Sequence, residues 1–226
     1  MATTPKISVI TCSVRPEGLK LVEKALKRQT FKDFEWIIQG RDGEIPKGCV
    51  WTLNRDYNMA IAKAKGELIV SWQDYTYASP QALEKFFYYF KTEPKTLVTG
   101  VGNKYTDDSF TTQTWRDPRD RSDQGSFYPC FFCDIEWNFC SVPKAALYAV
   151  GGFDEWLDYY YGMDGYSVLD RLNLLSGWDF KIDQTNRSYS LEHSRPEDWE
   201  EKNALHGPYN ERRKQYMANP VLDYLK

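Results

Sequence analysis

Residues 66–80 read GELIVSWQDYTYASP. Leu68, Ile69 and Val70 make an apolar run of the kind found in a strand covered on both faces. The run breaks at Gln73-Asp74-Tyr75-Thr76, and Ser79-Pro80 then opens a helical pattern with proline in its first turn. A carboxylate at the end of a buried strand, between an amide and a phenol, either caps the turn into that helix or faces a ligand.

The flanking pattern sets the architecture. Residues 6–12 (KISVITC) form a second β-rich apolar run, followed by Leu19, Val22 and Leu26 at helical spacing to about Arg28. Residues 34–39 read as another strand, ended by Gly40-Arg41-Asp42-Gly43. Tyr57, Ala60, Ile61 and Ala64 mark a helix face that stops at Gly66, and Leu83, Phe86, Phe87 and Phe90 mark the helix after Pro80. With a fourth strand over 96–101, the alternation predicts an α/β fold: a mostly parallel central sheet with helices on both faces. The second half is less regular. Residues 103–129 are polar and read as a long loop, a length usually reserved for lids or disordered segments. Ser141-Val142-Pro143 reads as the start of a short helix running to Gly151-Gly152. Val168, Leu169, Leu172 and Leu175 mark a helix stopped by Gly177, and 180–183 and 187–191 read as short strands. The tail, 206–226, is polar with a few apolar anchors and is expected to pack on the body or on a second subunit as a homodimer.

Composition narrows the function. The chain has 226 residues, 42% hydrophobic and 27% charged, enough for one sizeable core. Aromatics reach 16%, with 8 Trp, 16 Tyr and 12 Phe, side chains that fill cores and also stack on sugars. The net charge is −3 and no Lys/Arg run forms a stripe, so nucleic acid has no electrostatic support as a partner. No stretch of about 18 apolar residues would span a membrane, and the start lacks a signal-peptide core, so a cytoplasmic location is expected. Five cysteines argue against a disulfide framework. Cys130-Phe131-Phe132-Cys133 has knuckle spacing, yet no second pair or nearby His completes a zinc site.

In open parallel sheets ligands bind beyond the carboxyl ends of the strands. Polar groups gather at three such ends, 11–17, 39–43 and 73–76, which suits a ligand rich in hydroxyls and phosphates. Neither a dinucleotide G-x-G-x-x-G nor a P-loop is present. The run KISVITCSVRPEGL, then Phe34-Glu-Trp-Ile-Ile, then Asn58-x-Ala-Ile-x-x-Ala-x-Gly66-Glu-Leu-Ile, resembles family 2 of the nucleotide-sugar glycosyltransferases. Gly151-Gly-Phe-Asp-Glu155, followed by Tyr161-Gly-Met-Asp164, is similar to the "GGFDE … GxED" acceptor region of that superfamily, also seen in galactosyltransferase-like chains. The resemblance covers roughly residues 6–195.

The resemblance implies a single GT-A domain over 1–226. Its nucleotide-sugar half would be 1–102 and its acceptor and catalytic half 103–205, with 206–226 as a tail. It implies transfer of a sugar from a nucleotide diphosphate sugar, UDP-sugar first, to a carbohydrate or other hydroxyl acceptor. The family holds a divalent cation, Mn2+ or Mg2+, on a strand-end D-x-D; here Gln73-Asp74-Tyr75 stands in that place, with Gln and Tyr for the two flanking acids, and offers one carboxylate, Asp74, and the Gln73 amide oxygen. His193 lies where such folds supply a late metal ligand. Thr11, Ser13, Arg15, Asp42, Arg55 and Asn58 match donor-side positions, with an arginine suited to a diphosphate. Trp115, Asp134, Glu136 and Trp137 are acceptor-side candidates, and Asp154 and Glu155 are expected to hold the acceptor loop. Inverting transfer needs one carboxylate to take the acceptor's proton, and Asp164, bracketed by Gly162 and Gly165 at a helix start, is the candidate base. A plain helix-capping role for Asp164 is the alternative, as is a catalytically weak nucleotide-sugar or glycan-binding protein for the whole chain.

Overall fold

Ile7–Cys12 (β1) is buried along most of its length and is the axis on which the molecule is built. The computed structural model describes residues 4–40 and 44–225; Asp42 lies outside them. From β1 the chain runs through Pro16–Lys27 (α1), Phe34–Gln39 (β2), Leu53–Lys63 (α2), Leu68–Trp72 (β3), Thr76–Ala78 (β4) and Ala82–Thr92 (α3). Thr96–Tyr105 (β5), Gln113–Trp115 (β6), Phe127–Pro129 (β7), Phe139–Pro143 (β8) and Lys144–Ala149 (α4) follow. Asp164–Leu175 (α5), Asp179–Leu191 (β9) and Pro208–Ala218 (α6) complete the order.

The nine strands form one sheet in the order β2-β1-β3-β8-β5-β9-β4, with β6 on β5 and β7 on β9. β1 pairs in parallel with β2 and β3, and β5 with β9. β8 is antiparallel to both β3 and β5, so those two flank it in a common direction. Helices cover both faces, as the alternation predicts. Ile61, Leu147, Val168, Leu169 and Leu172 fill the layer under α2, α4 and α5. Val22, Leu26, Leu83 and Phe86 fill the layer under α1 and α3.

Three expectations are corrected. Residues 139–143 are a central strand, not a helix start: all five are buried, as a strand covered on both faces requires, and the helix begins one residue later at Lys144. Pro143 sits at the strand's end, where it removes no ladder donor from the middle. The polar segment 103–129 is not a bare loop, since it carries the end of β5, β6 and β7. It is pinned by the buried Asp117, which accepts from Gly102 N–H at 2.9 Å and pairs with Arg119 at 2.5 Å. The two late strands are one long strand, β9, with a register shift where Gly100 and Val101 meet Asp183 and Arg187. The tail packs on the body: Leu222 and Leu225 N–H donate to the carbonyls of Val150 and Gly151 at 2.9 and 3.2 Å.

Candidate active site at the strand ends

Parallel β1 and β3 deliver Ser13, Arg15 and the 73–75 turn to one edge of the sheet. Asp74 is buried, and both carboxylate oxygens are engaged. Oδ2 accepts from Ser13 Oγ at 2.5 Å and Arg15 Nε at 3.0 Å; Oδ1 accepts from Arg15 Nη2 at 3.3 Å. Arg15 N–H donates to Ser13 Oγ at 3.0 Å, so the loop after β1 closes on itself around the carboxylate. Arg15 Nη1 lies 3.0 Å from His193 Nδ1, at the end of β9. A guanidinium only donates, so in this contact the ring nitrogen accepts.

Tyr75 holds this turn in an unusual backbone conformation. Its φ is +56°, a left-handed value rare for a bulky side chain. Its N–H donates to Gly18 carbonyl at 3.2 Å and its carbonyl accepts from Leu191 N–H at 2.9 Å. Its hydroxyl donates to Glu17; that bond raises the Tyr75 pKa to about 12 and lowers that of Glu17. Gly18 is required for contact: a Cβ there would lie 2.7 Å from Tyr75 Cδ2 and 3.0 Å from Asp74 Cβ.

Asp164 is the first residue of α5, and Met163, with φ +63°, precedes it as the cap residue. Asp164 keeps some solvent contact, yet burial raises its pKa, against the lowering effect of hydrogen bonds to its own and the Gly165 backbone; Glu136 adds a smaller rise. Burial is thus the larger influence on this carboxyl, and its backbone hydrogen bonds the smaller. Among the described residues no Lys, Arg or His forms an ion pair with it. Cys12, at the end of β1, connects the two halves. Its thiol pKa is raised by burial first and then by Asp56, Asp164 and Asp74. Asp74 and Asp164 thus act on the same half-buried thiol, with Asp56 as a third acid. The 134–138 segment reaches this edge too, where Gln73 N–H donates to Asn138 carbonyl at 2.9 Å.

Several candidate residues have other duties. Thr11 is wholly buried, donating to Trp72 carbonyl at 2.7 Å and accepting from Trp36 Nε1 at 3.0 Å. Asn58 and Arg55 face the GGFDE loop rather than Asp74: Asn58 Nδ2 donates to Phe153 carbonyl at 3.0 Å, and Arg55 pairs with Glu155 at 3.2 Å. Trp137 is no open stacking face, since its ring packs against Phe153 and Tyr57 with centroids 4.9 and 5.9 Å away. A Cβ on Gly165 would lie 2.4 Å from its Cβ. Asp134 Oδ2 accepts from Phe131 N–H at 3.0 Å, and Trp115 stands exposed on β6 beneath the Lys104 ammonium. Asp154 is fully buried and accepts from Arg212 at 2.5 and 2.9 Å and from Tyr216 at 2.6 Å. Burial would raise its pKa, but these bonds hold it below the usual carboxylate range.

Asp56, Cys12 and Glu17 carry no signal in the sequence beyond their neighbours. An acid in a helix's first turn, such as Asp56 or Glu17, reads as a partner of the helix dipole. Asp158, likewise unsignalled, caps α2 from outside, accepting from Asn54 N–H at 2.9 Å and Arg55 N–H at 3.3 Å; burial nonetheless raises its pKa to about 6.

The strand-end donor set does not fit a resident divalent cation. Such an ion takes several oxygen ligands. Here Asp74 has both oxygens occupied, the His193 Nδ1 lone pair is occupied, and the Tyr75 hydroxyl is tied to Glu17. Among the described residues no group of three or more His, Cys, Asp or Glu is placed to hold a metal. The Arg15 guanidinium itself lies where such an ion would sit between Asp74 and His193. Two unit charges 4 Å apart repel by about 4 kcal/mol at an effective dielectric of 20, and a divalent ion doubles that.

A cleft of about 620 Å³ opens beside the turn into α5, lined in part by Gly48, Tyr159, Tyr161, Asp198, Lys202 and His206. Tyr161 stacks on Trp199 at 5.3 Å and meets Trp51 edge-on at 5.2 Å. Tyr159 is 46% exposed. Tyr161 precedes Asp164 by three residues, a span of roughly 11 Å at most.

No protein-family model and no curated protein matches the sequence. In fold the chain is similar to the crystal structure of S. aureus TarS, with a TM-score of 0.62 at 13% identity. The match covers 87% of this chain and 38% of TarS, so the chain spans well under half the length of that protein. At this identity the likeness establishes the architecture, a GT-A, Rossmann-like α/β fold. Among the described residues no helix is long and apolar enough to cross a membrane.

Proposed function

We propose that the chain is an inverting glycosyltransferase that moves a sugar from a nucleotide diphosphate sugar to an acceptor hydroxyl. The observation that carries this reading is Asp164: a partly desolvated carboxylate with no ion-pair partner among the described residues, sharing the Cys12 neighbourhood with Asp74 on a GT-A sheet. Desolvation raises a carboxyl's proton affinity, which suits a general base. In the step proposed, a bond forms between the acceptor oxygen and the anomeric carbon as the bond from that carbon to the diphosphate breaks. The acceptor's proton passes to Asp164, and the bonding pair leaves with the nucleoside diphosphate on the Ser13–Arg15–Asp74 side.

The cleft beside Tyr159 is the acceptor side in this reading, because the exposed Tyr159 ring with polar groups near it suits a sugar ring. UDP-sugars are the first donors to test, as the family resemblance implies. A nucleotide-sugar binder without turnover is the second reading, favoured by the full engagement of Asp74. Incubating the protein with UDP-glucose, UDP-galactose, UDP-N-acetylglucosamine, GDP-mannose and dTDP-glucose, with release of nucleoside diphosphate as readout, separates the two. Turnover of one donor, lost in Asp164→Asn, supports the transferase; binding of a donor with no release supports the binder.

A further inference from the structure

We infer, resting on the donor reading above, that Arg15 takes the place of the divalent cation, so that this chain binds nucleoside diphosphates and releases them without a metal ion. The guanidinium is held on its inner side. Nε and Nη2 bracket the Asp74 carboxylate at 3.0 and 3.3 Å, Nη1 reaches His193 Nδ1 at 3.0 Å, and the group lies 5.3 Å from the Tyr75 ring centroid. These contacts use three of the five N–H groups of an arginine and leave one on each of Nη1 and Nη2. Two adjacent N–H groups of one guanidinium match two oxygens of a phosphate. The Asp74 side chain is 1% exposed and the Arg15 side chain 36%, so the carboxylate anchors from below while the cation presents an edge to solvent.

The departures from D-x-D fit the same account. Gln73 and Tyr75 stand where D-x-D has its two acids, so the stretch carries a single negative charge, on Asp74, which one guanidinium balances and a divalent cation would exceed. The Tyr75 phenol is diverted to Glu17, and its ring lies 5.3 Å from that of His193, forming the side wall against which Arg15 rests. His193 then serves as a positioning residue for Arg15 and not as a metal ligand. In the transfer step the negative charge that develops on the departing diphosphate oxygen faces Arg15 Nη1 and Nη2, a preorganised donor pair.

Calorimetric titration of the full chain with UDP, GDP, CDP and ADP, in 1 mM EDTA and in 1 mM MnCl2, tests this. The expected result is one nucleoside diphosphate whose Kd agrees within about threefold between the two buffers. Arg15→Gln should weaken it at least tenfold, while Arg15→Lys should keep part of the affinity. Arg15→Gln leaves Asp74 buried and unpaired, so the melting temperature of each variant without ligand is measured alongside; Arg15→Lys, which keeps a cation, carries the test if Arg15→Gln does not fold. Binding that falls tenfold or more in EDTA overturns the arginine assignment and leaves the donor reading intact. Unchanged affinity in folded Arg15→Gln and Arg15→Lys overturns it as well. Absence of binding to every nucleotide in both buffers overturns the donor reading and this inference with it.

Discussion

Replacing Asp164 with Asn keeps the shape of the side chain and removes its capacity to accept a proton. A positioned general base contributes about 10²–10⁴-fold to rate, equivalent to about 3–5 kcal/mol of barrier. The structure predicts that this loss comes without a stability penalty, because among the described residues no ion pair depends on the carboxylate. Its pKa is raised on folding, so the folded state holds its proton more tightly than the unfolded chain does. The sign follows from linkage: stability from this group is full below the unfolded value, about 3.9, and declines as pH rises through the higher folded value. At pH 7 Asp164→Asn should therefore melt at or above the wild-type temperature. Wild-type kcat/KM should climb with pH through an apparent pKa above the ordinary carboxylate range, and that acid limb should vanish from the variant's residual rate. Nucleoside diphosphate release measured from pH 4 to 8, beside thermal melts, reads both. Turnover within about threefold of wild type in a folded Asp164→Asn protein would refute the assignment of the base.

Three further outcomes follow from packing. Asp154→Ala strips the partner from Arg212 and Tyr216, and breaking such a buried pair should cost about 3–5 kcal/mol, a fall of roughly 6–20 °C in Tm for a chain of this size. Because the Asp154 pKa is lowered on folding, wild-type stability should also fall as pH drops through that low value, and the variant should lack this component; urea melts between pH 2.5 and 6 check it. Gly165→Ala pushes a methyl to 2.4 Å from Trp137 Cβ, so it should cost about 1–3 kcal/mol by overpacking and slow turnover by displacing Asp164, measured by melting and by release assay. Tyr159→Ala should lower transfer to an added acceptor at least tenfold while leaving hydrolysis of the donor by water within twofold; equal loss of both would remove the cleft from the acceptor side.

The first hundred residues were the most legible because their signals are local. The 34–39 strand and the stop before Gly66 depend on short-range patterns of side-chain size and turn chemistry. The strand at 139–143 was hidden because serine and proline at its end mimic a helix start, while its burial depends on β3 and β5, far away in sequence. The polar 103–129 segment misled for the opposite reason: its order comes from Asp117 and Arg119, charged residues that read as solvated until their pairing is seen. At the site, the residue types of Asp74, Arg15 and His193 were readable, but their mutual engagement was not. No one-dimensional pattern tells that an arginine lies between two candidate ligands, or that Asn58 turns toward Phe153.

The reversed β8 has a consequence for how the molecule is made. β3 and β5 both lie in the first half of the chain, yet in the sheet they are parted by a gap that is filled only when residues 139–143 arrive. A fragment ending near residue 102 would leave two buried strands with open hydrogen-bonding edges, surfaces prone to association. Splitting the gene between a donor half and an acceptor half should therefore yield insoluble pieces, and during synthesis the nascent amino-terminal portion must await its later segments before it can close.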